Sequence, residues 1–237
     1  MGWMMFAAVC AYFIKGLCGF ANTLVFSTIL SFSTNNVNIS PVELVLGLPS
    51  NIMISYKERK SVDWKVCLPL AGLVLLGDIP GILMLKNTDT QVIKGIFGFV
   101  IIAIGLEMLF REYMGSAKKS QILLIVIGVL SGILCGLYGI GALLAAYMGR
   151  VTDNSSAFKG NLCIVFLIDN LFRLVMYSVT GIITVDTLKQ SVILIPSMGL
   201  GLYLGMKGNS FLNEKKIKKL VIIMLILSGI SLIVTLF

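Results

Sequence analysis

The hydrophobic positions of the chain fall into eight long runs that short polar segments separate. The runs cover residues 3–32, 41–56, 64–85, 92–110, 121–149, 157–180, 187–206 and 214–237. Most of them are close to the ~20 residues that a helix needs to cross a bilayer. The pattern therefore predicts an all-α polytopic membrane protein whose immediate surroundings are the lipid bilayer.

Composition agrees with this prediction and excludes several other classes of protein. Of the 237 residues, 57% are hydrophobic and only 13% are charged, whereas soluble domains carry about 25% charged residues. The net charge of +8 comes from short connections between the runs, where orientation in the membrane explains it, so we expect no nucleic-acid partner. The five cysteines lack metal-ligand spacing and there is no histidine. We therefore expect no metal and no cofactor.

The first and fifth runs are unusually long, and glycines interrupt both of them. The interruptions read "FIKGLCGFANTL" at 13–24 and "SGILCGLYGIGALL" at 131–144. Each half, of about 13 residues, would rise about 20 Å, past the membrane midplane but not across the bilayer. Each run is therefore either a broken span or a re-entrant hairpin.

The distribution of Lys and Arg distinguishes these two topologies. If both runs are hairpins, 14 of the basic residues near the connections lie on one side and 3 on the other, whereas eight crossings leave no bias. Because basic residues accumulate on the cytoplasmic side, the hairpin model is favoured, with both termini outside.

The two halves of the chain also share short motifs. "LCG" occurs at 17–19 and at 134–136, and a GxxxG pattern occurs at 77–81 and at 201–205. These matches predict a single membrane domain, 1–237, made of two repeats.

The repeats would cover residues 1–114 and 115–237, each with one hairpin and three spans. An odd number of crossings inverts the second copy relative to the first, as in secondary transporters whose broken helices meet near the midplane. The second half-helix of each hairpin would direct its N-terminal N–H groups to that point, where they favour an anion.

Most of the chain resembles the sulfite exporter TauE/SafE family. The resemblance rests on the two glycine-rich breaks, on "SYKERKSVDWKVCLPLAG" at 55–72 and on "FKGNLCIVFLIDNLFRLVMYSVTGIIT" at 158–184. It implies an inner-membrane permease that moves small sulfur-containing anions such as sulfite, thiosulfate or sulfonates by alternating access, and not an enzyme. An anion channel of the same architecture, a membrane scaffold and an intramembrane enzyme are the alternatives, and the lack of histidine and of a nucleophile–base pair argues against the enzyme.

Candidate substrate-binding residues lie at the two breaks and in the second and sixth runs. Asn51 and Asn170 would both lie near the midplane, and Arg173 would be an anion-attracting cation with Asp169 as its resting partner four residues earlier. The predicted binding residues are Lys15, Cys18, Gly19, Asn22, Asn51, Cys135, Gly136, Tyr138, Gly139, Asn170 and Arg173.

Each of these residues also has a structural interpretation. The asparagines could only join helices, Arg173 and Asp169 could form a neutral salt bridge, and Lys15 could be a partner of a helix dipole. The paired cysteines at 18 and 135 could be small turn residues.

Two acidic positions call for separate interpretations. Asp78 and Asp169 are possible coupling residues, although a buried carboxylate that is only hydrogen-bonded would look the same. Glu43 belongs to "SPVE" at 40–43, which has the spacing of a capping box, and we interpret it as a helix cap.

Overall fold

The computed structural model of the protein is built from helices joined by short turns. It describes residues 1–31, 39–87, 99, 102–103, 106, 109, 121–152, 154–209 and 213–234. The extended helices within these residues are α1 (Gly2–Cys18), α2 (Asn22–Ser31), α3 (Ile39–Lys57), α4 (Trp64–Asn87), α5 (Gln121–Tyr138), α6 (Ala142–Val151), α7 (Ser155–Val179), α8 (Val185–Asn209) and α9 (Glu214–Val234).

The predicted all-helical class is confirmed. The described part of the chain contains no strand, and a single 3-10 turn (Arg59–Ser61) links α3 to α4. The fourth hydrophobic run and the boundary between the two predicted repeats lie mostly outside the described residues.

Three of the described helices are long and apolar enough to cross a membrane. The spanning segments are Trp64–Leu83, Ser155–Val179 and Val185–Gly208. Large apolar side chains on their outer faces, such as Leu76, Val175 and Val192, are more than half exposed. Faces of this kind are stable against lipid and costly against water, so the chain is a multi-pass membrane protein.

The first long run breaks where the glycines predict and then doubles back. The indole Nε1 of Trp3, at the start of α1, donates a hydrogen bond to the carbonyl of Ile29, near the end of α2 (3.1 Å). The two half-helices therefore lie side by side and antiparallel, as the hairpin model requires for this run. The fifth run is interrupted at 139–141, between α5 and α6.

Two helix pairs are held together by close approach at glycines. In the pair of α1 and α8, a Cβ added at Gly16 would lie 2.7 Å from the carbonyl oxygen of Leu202. In the pair of α4 and α5, a Cβ added at Gly81 would lie 2.7 Å from the carbonyl oxygen of Ile133. Both GxxxG motifs thus pack helices together, as such motifs do in membranes, and each joins a span from one half of the chain to a half-helix from the other.

The helices α3 and α7 pack against each other and bring polar side chains into the interior. A Cβ added at Gly47 on α3 would lie 2.6 Å from Nδ2 of Asn170 on α7, so a larger residue there would displace the Asn170 amide. The same side of α7 buries Asp169 and Arg173. These two helices place polar groups at the level where the interrupted helices end.

Candidate functional site

The two helix breaks, α3 and α7 enclose one cavity of about 40 Å³. A single water needs roughly 10–15 Å³ on this scale, so the space suits about three waters or one small oxyanion. The residues predicted to bind substrate that line the cavity are Lys15, Asn22, Asn51, Cys135, Gly139, Asn170 and Arg173, together with the possible coupling residue Asp169.

The first break lies between α1 and α2. Gly19 has a left-handed backbone (φ 89°) and its N–H donates to the carbonyl of Lys15 (2.6 Å). Ala21 also has a positive φ, 70°, an uncommon conformation for a residue with a Cβ. The chain then enters α2 at Asn22, and Asn22 and Thr23 line the cavity at the end of the helix where the dipole is positive.

The second break repeats the left-handed glycine of the first break but not its second positive φ, because Gly141 has a φ of −96°. Gly139 is left-handed (φ 69°), its N–H donates to the carbonyl of Cys135 (2.8 Å), and α6 begins three residues later at Ala142. Gly139, Ile140, Gly141 and Ala142 all line the cavity. The first turn of α6 therefore lies at the cavity, as the first turn of α2 does.

This geometry corrects the predicted match between the two breaks. Left-handed Gly19 and Gly139 are separated by 120 residues, and so are the first residues of α2 and α6. The equivalent of Gly19 is therefore Gly139 and not Gly136, and Cys135 corresponds to Lys15 and not to Cys18. The shared letters "LCG" align Gly19 with Gly136 instead, three residues before Gly139.

Gly136 lies at a close contact between two helices. A Cβ added there would lie 2.8 Å from the carbonyl oxygen of Asp78 on α4, and the residue is not part of the cavity wall. Its carbonyl accepts a hydrogen bond from the hydroxyl of Tyr177 (3.0 Å). That Gly136 contacts substrate stays a prediction, and in this structure its Cα faces a neighbouring helix.

Three further predicted site residues lie outside the cavity wall. The Cys18 thiol is buried and donates to the carbonyls of Ile14 (3.1 Å) and Phe20 (3.3 Å). Gly19 forms the turn but does not line the cavity. Asp78 is fully buried and does not line the cavity either. The Tyr138 side chain lies outside the described part of the structure, although its backbone ends α5.

Two buried cations line the cavity from different helices. Lys15, at the end of α1, is only 2% exposed, and its Nζ lies 5.7 Å from the centroid of the Tyr12 ring. Arg173, on α7, is 3% exposed and pairs with Asp169 on the same helix (Nη1 to Oδ2, 3.5 Å). Its Nη2 also reaches the hydroxyls of Ser40 (3.4 Å) and Tyr177 (3.3 Å).

Asn51 is the polar group of the cavity wall that most clearly lacks a partner. Its side chain is 1% exposed, and neither its amide nitrogen nor its amide oxygen has a hydrogen-bond partner among the described residues. Leaving such a group unsatisfied costs about 1–3 kcal/mol. A bound polar ligand in the cavity would remove this cost.

Sequence reasoning missed Glu43 as a site residue. The interpretation of Glu43 as a cap is wrong, because α3 is already helical at Ile39 and the carboxylate turns toward the cavity. Its Oε2 accepts hydrogen bonds from Asn22 (2.6 Å), Thr23 (3.3 Å) and Tyr12 (3.4 Å). The spacing of Glu43, Gly47 and Asn51, four residues apart on one helix face, was a signal that could have found it.

Taken together, helical spans and interrupted helices that converge on a buried polar cavity define the architecture of a membrane transporter. The family model for Sulfite exporter TauE/SafE matches residues 4–232. The chain belongs to this family, and it is a transporter. No curated protein and no solved structure shows a significant match to the chain.

Proposed function

We propose that the protein carries small sulfur-containing anions, such as sulfite, thiosulfate or sulfonates, through the cell membrane by exposing the cavity alternately to its two sides. The observation that carries the proposal is the unpartnered amide of Asn51 in a cavity that Lys15 and Arg173 also line. An oxyanion accepts hydrogen bonds from all three groups and makes up for the hydration that they lose on burial.

The two breaks add fixed dipoles to these side chains. The helices α2 and α6 both start at the cavity, and the N-terminal end of a helix favours negative charge by about 0.3–1 kcal/mol at exposed sites and more when buried. Two such ends at one site select for an anion without the full cost of further buried cations.

The transport cycle that we propose uses the internal repeat. Repeats over 1–114 and 115–237, inverted relative to each other, would give the cavity two equivalent routes of access, one to each side. In this arrangement both termini lie outside the cell and the interruptions reach the midplane from opposite sides. The helix pairs α1–α8 and α4–α5, which interlock the two halves through glycines, would move as units.

Transport by purified protein in liposomes tests the proposal. Uptake of labelled sulfite, thiosulfate, sulfate and methanesulfonate should saturate for at least one sulfur anion, and unlabelled anion inside should accelerate it. Such counterflow indicates a carrier, whereas flux without counterflow would support the channel. No flux of any of the four anions would refute the proposal.

A matched pair of variants ties the flux to the cavity. Asn51→Ala should lower the flux of the carried anion at least tenfold, because it removes a donor from the wall. Ser55→Ala is the control, since Ser55 is buried on the same helix but does not line the cavity. Equal fluxes for these two variants would show that the anion does not pass through this cavity.

A further inference from the structure

The charges around the cavity do not leave it positive. Lys15 and Arg173 contribute two positive charges to the wall, while Glu43 and Asp169 contribute two carboxyl groups. Asp78 lies next to Asp169 and adds a third carboxyl just behind the wall. A site with this composition attracts a dianion poorly unless a carboxyl group is neutral while the anion is bound.

Glu43 is the carboxyl group whose surroundings suit this change of charge. Its Oε2 has three donors, from Tyr12 on α1 and from Asn22 and Thr23 on α2. Its Oε1 is buried and has no partner among the described residues. A buried carboxylate oxygen without a partner is costly, and a proton on that oxygen removes the charge while the three donors keep the other oxygen in place.

The charged neighbours of Glu43 connect it to the anion site. Lys15 on α1 is its cationic neighbour, and Tyr12 is the titratable group that touches it. The opposite wall presents Arg173 with Asp169 on α7 and the Cys135 thiol on α5. While Glu43 is ionised it compensates Lys15, and a bound anion must take over that role.

We propose that Glu43 binds a proton when the anion enters, so that the transporter moves a proton together with its anion. This inference rests on the proposed function and specifies its coupling ion. The proton comes from the solvent on the side to which the cavity is open and stays on Oε1 of Glu43 while Lys15 faces the anion. It leaves with the anion on the other side, and Glu43 then again compensates Lys15.

The contacts favour a proton over a metal cation as the coupling ion. Three donors already point at Oε2 of Glu43, and donors repel a cation from that oxygen. The single hydroxyl proton of Thr23 is shared between Glu43 Oε2 (3.3 Å) and the carbonyl of Gly139 (3.2 Å), so Thr23 connects the carboxyl group to the second break.

Proton movement in liposomes tests the inference directly. A trapped pH indicator reports protons while thiosulfate or methanesulfonate flows, because these anions keep their charge across neutral pH. The wild type should move protons in the same direction as the anion. Glu43→Gln should move no proton with each anion, at whatever rate the anion flows. Glu43→Asp should still move protons with the anion.

The control is Glu58→Gln, which alters a carboxyl in the turn after α3, outside the cavity wall. It should keep the wild-type ratio of protons to anions. Asp78→Asn should keep this ratio as well. If Asp78→Asn loses the proton movement and Glu43→Gln keeps it, the coupling group is the pair of Asp78 and Asp169 and not Glu43. Anion flux that depends on sodium and moves no protons would also overturn it, while leaving the proposed function intact.

If Glu43→Gln carries no anion, binding in detergent decides the question. Addition of thiosulfate to the folded wild-type protein in weak buffer should take protons from solution. Folding of the variant is checked by its elution as a single species and by its unfolding temperature. Thiosulfate binding to the wild type without proton uptake would refute the inference. If the wild type neither binds nor carries the anion, the result would count against the proposed function instead.

Discussion

The two helix breaks each turn at a left-handed glycine but differ in the chemistry that they bring to the cavity. At the first break, α2 opens with Asn22 and Thr23, which bond to Glu43, and Lys15 comes from the half-helix before it. At the second break, α6 opens with Ala142 and is buried as far as Met148, and the cation beside the break is Arg173 on α7. The comparison teaches that a left-handed glycine and a helix start recur at both breaks, while the side chains around them differ.

The difference extends to positions that lie 120 residues apart, the spacing of the two left-handed glycines. Lys15 and Cys135 occupy equivalent positions, each accepting the N–H of its left-handed glycine. One break therefore carries its own cation, and the other depends on a neighbouring helix for the charge. An anion bound between them would contact side chains at the first break and mostly backbone at the second.

Loss of either cation should have the largest effect and would test whether the two breaks act together. We expect Arg173→Gln and Lys15→Gln each to lower anion flux per folded molecule about 10–100-fold, because a hydrogen bond to a charged group contributes about 1.5–3 kcal/mol. Labelled uptake, normalised to the amount of folded protein in the liposomes, measures the effect.

Two variants serve as references for this measurement. Lys189→Gln changes an exposed lysine on α8 and should transport like the wild type. Asp169→Asn should be milder than Arg173→Gln, since it leaves the cation in place. Reduced expression with unchanged flux per molecule for Arg173→Gln would mean that the residue forms only a structural salt bridge.

Alanine at the two left-handed glycines should separate backbone strain from contact with the anion. A positive φ costs an alanine about 1–2 kcal/mol, so Gly19→Ala and Gly139→Ala should lower stability by similar amounts. A Cβ at Gly139 would lie 3.3 Å from Nη2 of Arg173, whereas one at Gly19 would meet the Lys159 side chain at 3.1 Å. We therefore expect a loss of flux of about tenfold or more for Gly139→Ala and a smaller loss for Gly19→Ala.

The control for both glycines is Gly199→Ala, because nothing lies within 4 Å of a Cβ at that position. It should change neither flux nor unfolding temperature. Equal and undiminished flux in Gly19→Ala and Gly139→Ala would show that the breaks do not shape the site.

Gly136→Ala tests the corrected register with a third position. The added methyl would press on the carbonyl of Asp78 on α4, so the helix pair must separate slightly. We expect a lower unfolding temperature, by the equivalent of about 1–3 kcal/mol, and an unchanged dissociation constant for the carried anion. A large loss of affinity for the anion with unchanged stability would indicate that Gly136, and not Gly139, is the equivalent of Gly19.

The smallest expected effect comes from Ala21, which has a positive φ at the first break. Ala21→Gly should relieve this strain, partly offset by the greater freedom of glycine in the unfolded chain. We expect a gain in stability below about 1 kcal/mol and no change in flux. Clear destabilisation in an unfolding experiment would contradict the assigned backbone conformation.

Much of the site was accessible from the sequence because its elements have local signals. Glycines in long apolar runs indicated both breaks, and polar residues in spanning segments pointed to Asn51, Asn170 and Arg173. Such residues are expensive in a membrane and tend to line cavities. The structure brings these three side chains to one cavity with Lys15.

The remaining features depend on tertiary contacts that short motifs do not encode. The motif "SPVE" has the spacing of a cap, but the donors around Glu43 come from Tyr12, Asn22 and Thr23 on other helices. The repeated "LCG" gave a register three residues from the one defined by backbone angles and helix starts. Identical letters carried less information than the φ angles of Gly19 and Gly139.

The central claim is that one anion binds between the two breaks, and a structure with bound selenite tests it most directly. Selenite has the shape of sulfite, and the anomalous scattering of its selenium locates it without ambiguity. We predict one selenium peak in the cavity, within hydrogen-bond distance of Lys15, Asn51 and Arg173 and next to the first turns of α2 and α6. A peak at any other place in protein that transports the anion, or no peak at saturating selenite, would contradict the account.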